Sequence, residues 1–338
     1  MTTLILYALL KIAGFVLGYV MLTATLLTWI ERKQSALAQD RIGPARASIM
    51  GLRLGGLLHI PADAIKSFTK EDFIPDTPNP WLFKFAPVIA FIPAFVMFAV
   101  IPFGPGDLII SSASFGVLFI LAVTGISVYG ATLAGWASNS SLSLLGGLRA
   151  AAQMISYEVT MGLSLVGIFM VYEDVNLQNV VIRQGSNVLN WGIVTQPLAF
   201  FLFLAAVIAE TKRGPFDVAE GESELVAGYF TEYSAMRFAM FMLGEFIAIV
   251  GVSAVLVTFF LGGWQVPGLE ETGGWYTVLQ VSAFALKTWF LCWLQLMIRW
   301  TLPRFRYDQI MHLGWRILLP LSLLNVLVTG IVLAIIHG

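Results

Sequence analysis

Eight windows of the sequence, near residues 4–30, 81–102, 114–137, 154–172, 193–211, 238–262, 277–298 and 315–336, run apolar almost without a charge. A hydrocarbon core of about 30 Å is crossed by about 20 helical residues, so each window is long enough to span a bilayer. The expected fold is all-α: a polytopic integral membrane protein with eight transmembrane helices, forming a single membrane domain over residues 1–338. Composition agrees, because 58% of the residues are apolar and 12% are charged, against roughly 25% charged in soluble domains. The first window has no basic stretch before it and is too long for a signal-peptide core, so it reads as mature structure.

Lysines and arginines set the expected orientation. The connections after the first, third, fifth and seventh windows hold fourteen of them, whereas those after the second, fourth and sixth hold only Arg183. Positive residues stay on the cytoplasmic or matrix side, so the odd connections are expected inside and both termini outside. The outer connections, such as Phe103 to Asp107 and 262–274, are short or Gly-rich and read as turns. The two halves show no matching charge or Gly/Pro breaks, which argues against an inverted-repeat transporter.

Several chemistries are excluded. One cysteine and three histidines cannot ligate an iron–sulfur cluster or a structural zinc ion, so no metal site is expected and any redox cofactor belongs to another chain. Neither G-x-G-x-x-G nor G-x-x-x-x-G-K-[ST] occurs, so no nucleotide site is signalled. The net charge of −1 gives no indication of nucleic acid.

The inner face holds the informative residues. In segment 53–70, Leu54, Leu57, Leu58, Ala62, Ile65 and Phe68 recur at helical spacing opposite His59, Asp63, Lys66 and Lys70. This predicts an amphipathic helix in the interface plane, started or kinked by Pro61. Its polar stripe is either a solvated face or a surface for a partner or a headgroup. Glu31 ends the first span beside Arg32 and Lys33, and at that depth it calls for a cationic partner, Arg32 or another loop cation.

Glu158, Glu210 and Glu245 fall inside apolar windows. A carboxylate at mid-membrane costs about 2.5–3.5 kcal/mol, so each is expected to face the bundle or a wet cavity and to exchange protons, unless it merely bonds a neighbour such as Tyr157. In the acidic loop 212–237, Asp217, Glu220, Glu222, Glu224 and Glu232 outnumber three bases. Asp217 with Glu220 fits a capping box, but Glu222 and Glu224 are left over, and carboxylates this close titrate as a coupled set. Lys287, inside the seventh window, is expected to pair with an acid. The cations and aromatics of 299–308 suit membrane anchoring, and Lys11 and Cys292 suit interface and packing.

These motifs together resemble the H-type membrane subunit family of respiratory complex I, the proton-pumping NADH:quinone oxidoreductase, equivalent to mitochondrial NADH dehydrogenase subunit 1. The resemblance rests on Glu31-Arg32-Lys33 with Arg41 to Pro44, Pro61 to Lys66 with Lys70-Glu71, and Arg149 to Glu158. Its most specific parts are Ala209 to Asp217 with Glu220 to Leu225, and Pro303 to Gln309. It implies a multi-pass subunit of an energy-transducing membrane, the bacterial cytoplasmic or the mitochondrial inner membrane. It implies a place at the junction of the two arms, beside peripheral-arm subunits at a quinone chamber and small membrane-arm subunits. The substrate would be quinone, with FMN and iron–sulfur clusters in the partner subunits and no cofactor in this chain. Glu31, Arg32, Asp63, Lys66, Phe216 and Arg299 would face quinone, and Glu158, Glu210, Asp217, Glu220, Glu222, Glu224, Glu232 and Glu245 would couple its reduction to proton movement. The competing readings are a homologous membrane protein of a hydrogenase or of another quinone or methanophenazine reductase, a stand-alone cation:proton antiporter, and a purely structural anchor.

Overall fold

Helices dominate because a backbone in lipid must satisfy its own N–H and C=O groups. The computed structural model describes residues 2–75, 79–269 and 273–337, the side chains of 2–5, 222, 223 and 337 excepted. In chain order we number the principal helices α1 (Leu6–Ala38), α2 (His59–Thr69), α3 (Pro80–Ala99), α4 (Gly116–Ala137) and α5 (Ser141–Tyr172). They continue with α6 (Leu177–Gln184), α7 (Pro197–Glu210), α8 (Ala235–Phe260), α9 (Trp275–Thr301) and α10 (Tyr307–Ile336). Among the described residues, seven of these are long and apolar enough to cross a membrane, and α7 is a shorter apolar helix of 14 residues.

The fifth window is interrupted where Gln196 separates the short helix Gly192–Thr195 from α7, which starts on Pro197. Gln196 fills the break with its side chain, donating to Thr329 at 2.9 Å and accepting from Asn325 at 3.0 Å, both on α10. The apolar windows also underestimate several helices. α5 begins at Ser141 rather than near 154, and its 32 residues extend about 48 Å. The extra turns carry Arg149 and Gln153, which are too polar to register as apolar. Gln153 instead donates to the Ala209 carbonyl at 2.7 Å, and Arg149 pairs with Glu224 at 2.5 Å.

α8 is the central helix. Of its most apolar window 78% is buried, against 17% for α10, and it packs on α1, α3, α7 and α9. α3, α4 and α5 pack in succession, while α10 lies against α5 and α7. α2 contacts α1 and α8 at the charged end of the bundle. It has no buried residue, its Pro61 lies in the first turn, and it leaves Ile65 and Phe68 exposed while Asp63 reaches Arg32 on α1.

The acidic loop is clamped to the helices by an aromatic core. Tyr229, Phe230 and Tyr233 pack against Phe83 of α3 and Phe241 of α8, with the Phe83 and Tyr233 rings stacked at 4.2 Å. Backbone approach is closest at Gly228, whose φ is +55° and where a Cβ would lie 1.8 Å from the Ala219 carbonyl oxygen. On the facing helix, a Cβ at Gly146 would meet Gly228 Cα at 2.7 Å. Gly228→Val therefore combines backbone strain with overpacking, at a cost of about 3 kcal/mol. We predict a lower thermal midpoint in detergent and faster proteolysis within 212–234, whereas wild-type values for both would show that the loop is not clamped there.

Candidate functional site: a buried ion network at the charged end

The ends of α7 and α9, the last turns of α1 and the first half of α8 converge on Arg213. Its guanidinium donates to Glu31 of α1 at 3.4 Å and lies 3.3 Å from Glu245 of α8, over the Phe246 ring at 4.5 Å. Arg299 of α9 donates to the same Glu31 carboxylate. Lys212, next in the chain, lies 3.7 Å from Glu245 and donates to the Tyr229 hydroxyl at 2.5 Å, and that hydroxyl donates to Glu245 at 3.3 Å. The side chains of Arg213, Glu245 and Lys212 are at most 10% exposed. Taking each ion out of water costs several kcal/mol, and only a complete set of partners offsets that. Arginine suits the hub because its planar guanidinium presents donors to two carboxylates at once.

The acidic loop adds two more carboxyls. Arg304 donates to Asp217 at 2.7 Å, yet burial outweighs this and lifts the Asp217 carboxyl above the usual range, with the cations of Arg304 and Arg299 opposing. Glu220 stands beside Glu245, and it is pushed well above the usual carboxyl range by burial first and then by the charges of Glu245 and Asp217. The Tyr229 phenol is likewise raised by burial and by Glu245 and Glu220, which keeps it protonated. The arrangement can hold a proton among close carboxyls and move it in response to a nearby charge.

Behind the network, a cavity of about 60 Å³ opens between α3, α4, α7 and α8. Glu210, Lys212 and Glu245 line it together with Thr124 and Ser127 of α4. Both Glu210 oxygens are buried without a hydrogen-bond partner among the described residues, in a space that admits a few water molecules. The Glu158 carboxylate lies over Gly125 of α4, where an added Cβ would come within 3.0 Å of its Oε1.

The structure brings Glu31, Arg299, Asp217, Glu220, Glu245 and Glu210 together and sets the other expected residues around them. Arg32 pairs with Asp63 at 2.5 Å, joining α1 to α2, so the partners of Glu31 are Arg213 and Arg299. Lys66 is exposed on α2, and Glu232 is half-buried. Phe216 is buried between Tyr157 and Phe305, with ring centroids at 5.4 and 5.5 Å. Glu224 is exposed and paired with Arg149, while the Glu222 side chain lies outside the described residues.

Three sequence expectations are corrected. Asp217 and Glu220 cap no helix, since the next helical turn starts at Glu222 and Asp217 is held by Arg304. Tyr157 donates to the Ile310 carbonyl rather than to Glu158. Among the described residues Lys287 pairs with no acid: its ammonium donates to the carbonyls of Leu261, Gly263 and Gln265 at 2.7–3.1 Å and lies 4.3 Å from the Trp191 ring centroid. Free carbonyls at the end of α8 satisfy it as well as a carboxylate would. In the sequence, Lys212 and Arg213 have a place in the orientation count, in the loop's charge balance and in the family motif but no buried role, and Tyr229 offers no local signal.

The family model described as NADH dehydrogenase matches residues 10–330. The chain belongs to the NADH dehydrogenase family. Among its relatives, the second H subunit of NADH-quinone oxidoreductase from Geobacter sulfurreducens is 48% identical, with 93% of each chain covered. The NADH-quinone oxidoreductase H subunit of Flavobacterium psychrophilum is 44% identical over 94% of each. The second such H subunit of Rhizobium meliloti is 43% identical over 94% of this chain and 95% of that one. Within this NADH dehydrogenase family member, the raised Glu220 carboxyl has a pH consequence. Its folded pKa exceeds the unfolded value near 4.5, so the native state binds the extra proton and stability from this group falls as pH rises from there toward the folded pKa. Glu220→Gln removes that titration, so we predict a thermal midpoint that declines less than wild type between pH 5 and pH 8. An identical decline in both proteins would mean that Glu220 ionises as freely as it does in water.

Proposed function

We propose that this chain is the membrane subunit at the junction of the two arms of a proton-translocating NADH:quinone oxidoreductase. In this reading it forms part of the quinone chamber and couples quinone reduction to proton movement. Family membership supports the assignment to the enzyme complex. The observation that carries the coupling is the continuous run of ionisable groups from Arg299 and Glu31 through Arg213 to Glu245, and onward to the cavity that holds Glu210.

Eight spans, with α7 and the short helix before it counted as one, would place both termini outside and the charged end in the cytoplasm or matrix. The membrane would be the bacterial cytoplasmic or mitochondrial inner membrane. Quinone would enter from the bilayer beside α1 and α2, with its headgroup near Glu31, Arg32, Asp63, Lys66, Phe216 and Arg299. Electrons would be supplied by FMN and iron–sulfur clusters in peripheral-arm partners. Cys292, the sole cysteine, is buried against Ser253 and leaves no thiolate set for a cluster here.

Reduction by two electrons obliges quinone to take up protons or carry negative charge. In a low-dielectric site a new charge near Glu31 and Arg299 changes the energy of every ion linked through Arg213. Asp217, Glu220 and Glu245 would then shift protons, and Glu210, with Glu158 and the loop carboxyls Glu222, Glu224 and Glu232, would pass the change into the membrane. A shift of one pKa unit at one site corresponds to about 1.36 kcal/mol, so several linked sites hold a useful share of the driving force.

In the assembled enzyme, we predict that Asp63→Ala lowers quinone reduction several-fold while NADH oxidation by a hydrophilic artificial acceptor stays near wild type. Glu210→Gln, measured in proteoliposomes with assembly verified, should reduce quinone reductase turnover and proton pumping together. Full turnover with full pumping in Glu210→Gln would sink the coupling role.

A further inference from the structure

Tyr229 stands where the ion network meets the cavity. It is fully buried, and its hydroxyl accepts from Lys212 at 2.5 Å while donating to Glu245 at 3.3 Å. The Lys212 ammonium also lies 4.7 Å from the centroid of the Tyr229 ring, so the tyrosine contacts it through both its hydroxyl and its face. Direct contact between Lys212 and Glu245 is longer, at 3.7 Å, and is not a hydrogen bond. Lys212 lines the cavity with Glu210 and carries a charge within electrostatic reach of it. The phenol is therefore the hydrogen-bonded link between the carboxyl side of the network and the lysine that faces Glu210.

We propose that Tyr229 is a positioning residue and proton relay that couples the charge state of Glu245 to that of Glu210 through Lys212. This inference rests on the functional reading above. The relay step balances within the three groups. An N–H bond of the Lys212 ammonium breaks and its proton joins the Tyr229 oxygen, while the phenolic O–H breaks and its proton joins the Glu245 carboxylate. Neutral lysine, neutral tyrosine and a carboxylic acid result, and the reverse transfer restores the ion pair. Ionised Glu210 favours the ammonium and holds the proton on Lys212, whereas protonated Glu210 withdraws that support and favours transfer toward Glu245.

Local structure supports such a role. Tyr229 is held in a single turn, Gly228–Phe230, by the clamp at Gly228, with its ring against Phe230 and Phe241 at 4.0 and 5.6 Å. Those ring contacts do not involve the hydroxyl, so Tyr229→Phe deletes the relay and keeps the packing.

The test uses the complete assembled enzyme in proteoliposomes, comparing wild type, Tyr229→Phe and Glu210→Gln in H2O and D2O. In Tyr229→Phe, with assembly and thermal midpoint retained, quinone reductase turnover should fall about ten-fold, as expected when a hydrogen bond between buried charged groups is lost. The ratio of turnover in H2O to that in D2O should rise above wild type, because a slower proton transfer then limits the rate. A purely structural defect would lower turnover without moving that ratio. The relay is overturned if Tyr229→Phe keeps wild-type turnover and isotope ratio while Glu210→Gln is impaired. If Glu210→Gln is also unimpaired, the coupling function itself fails.

Discussion

A single arginine sandwiched between two carboxylates inside the bundle governs the rest of the charged end. Arg213 is 6% exposed, and a buried cation left without partners would destabilise the fold by about 3–5 kcal/mol. Its partners come from different helices, Glu31 on α1 and Glu245 on α8, and Arg299 on α9 shares Glu31. The requirement to satisfy Arg213 thus fixes how α1, α8 and α9 meet at this end. Lys212 and Tyr229 follow from the same demand, since Glu245 has two oxygens to satisfy and the neighbouring lysine and phenol supply the second.

The same physics sets what the site can do. A network whose members each depend on the others responds as a unit when one charge changes. The aromatic clamp of Phe83, Tyr233 and Phe241 keeps the acidic loop pressed on the helices, so Asp217 and the Oε1 atom of half-buried Glu220 stay enclosed and both carboxyls stay above the usual range. Arg213, Asp217, Glu220 and Glu245 each leave at least one buried atom without a hydrogen-bond partner among the described residues, and Glu210 leaves both oxygens so, in a cavity roomy enough for water. Buried polar atoms of this kind are rare in native proteins, which marks the spot as a place where solvent or a proton belongs.

Much of this was legible in the sequence. Seven of the long apolar windows fall on the seven membrane-length helices among the described residues, because lipid selects against charge over about 20 residues. The intramembrane glutamates and Glu31 stood out because charge at that depth is expensive. The extension of α5 to Ser141 was hidden, since Arg149 and Gln153 leave the apolar pattern while still helical. The pairing of Glu31 was also hidden, because Arg213 and Arg299 lie 182 and 268 residues away in the chain, and only packing brings them together. Lys287 looked like a partner for an acid, but the free carbonyls that close α8 satisfy it, and nothing in residue type distinguishes the two. Tyr229 is one of nine tyrosines, and its role depends wholly on the close approach allowed by Gly228.

In the proposed coupling Arg213 transmits charge between Glu31 and Glu245. A double-mutant cycle tests it directly: quinone reductase turnover of the assembled enzyme with Glu31→Gln, Glu245→Gln and both together. If the two carboxylates communicate through the shared arginine, the effects are non-additive, with a coupling energy of about 1 kcal/mol or more. Effects that add within about 0.3 kcal/mol would contradict the account and leave the two ion pairs as independent features.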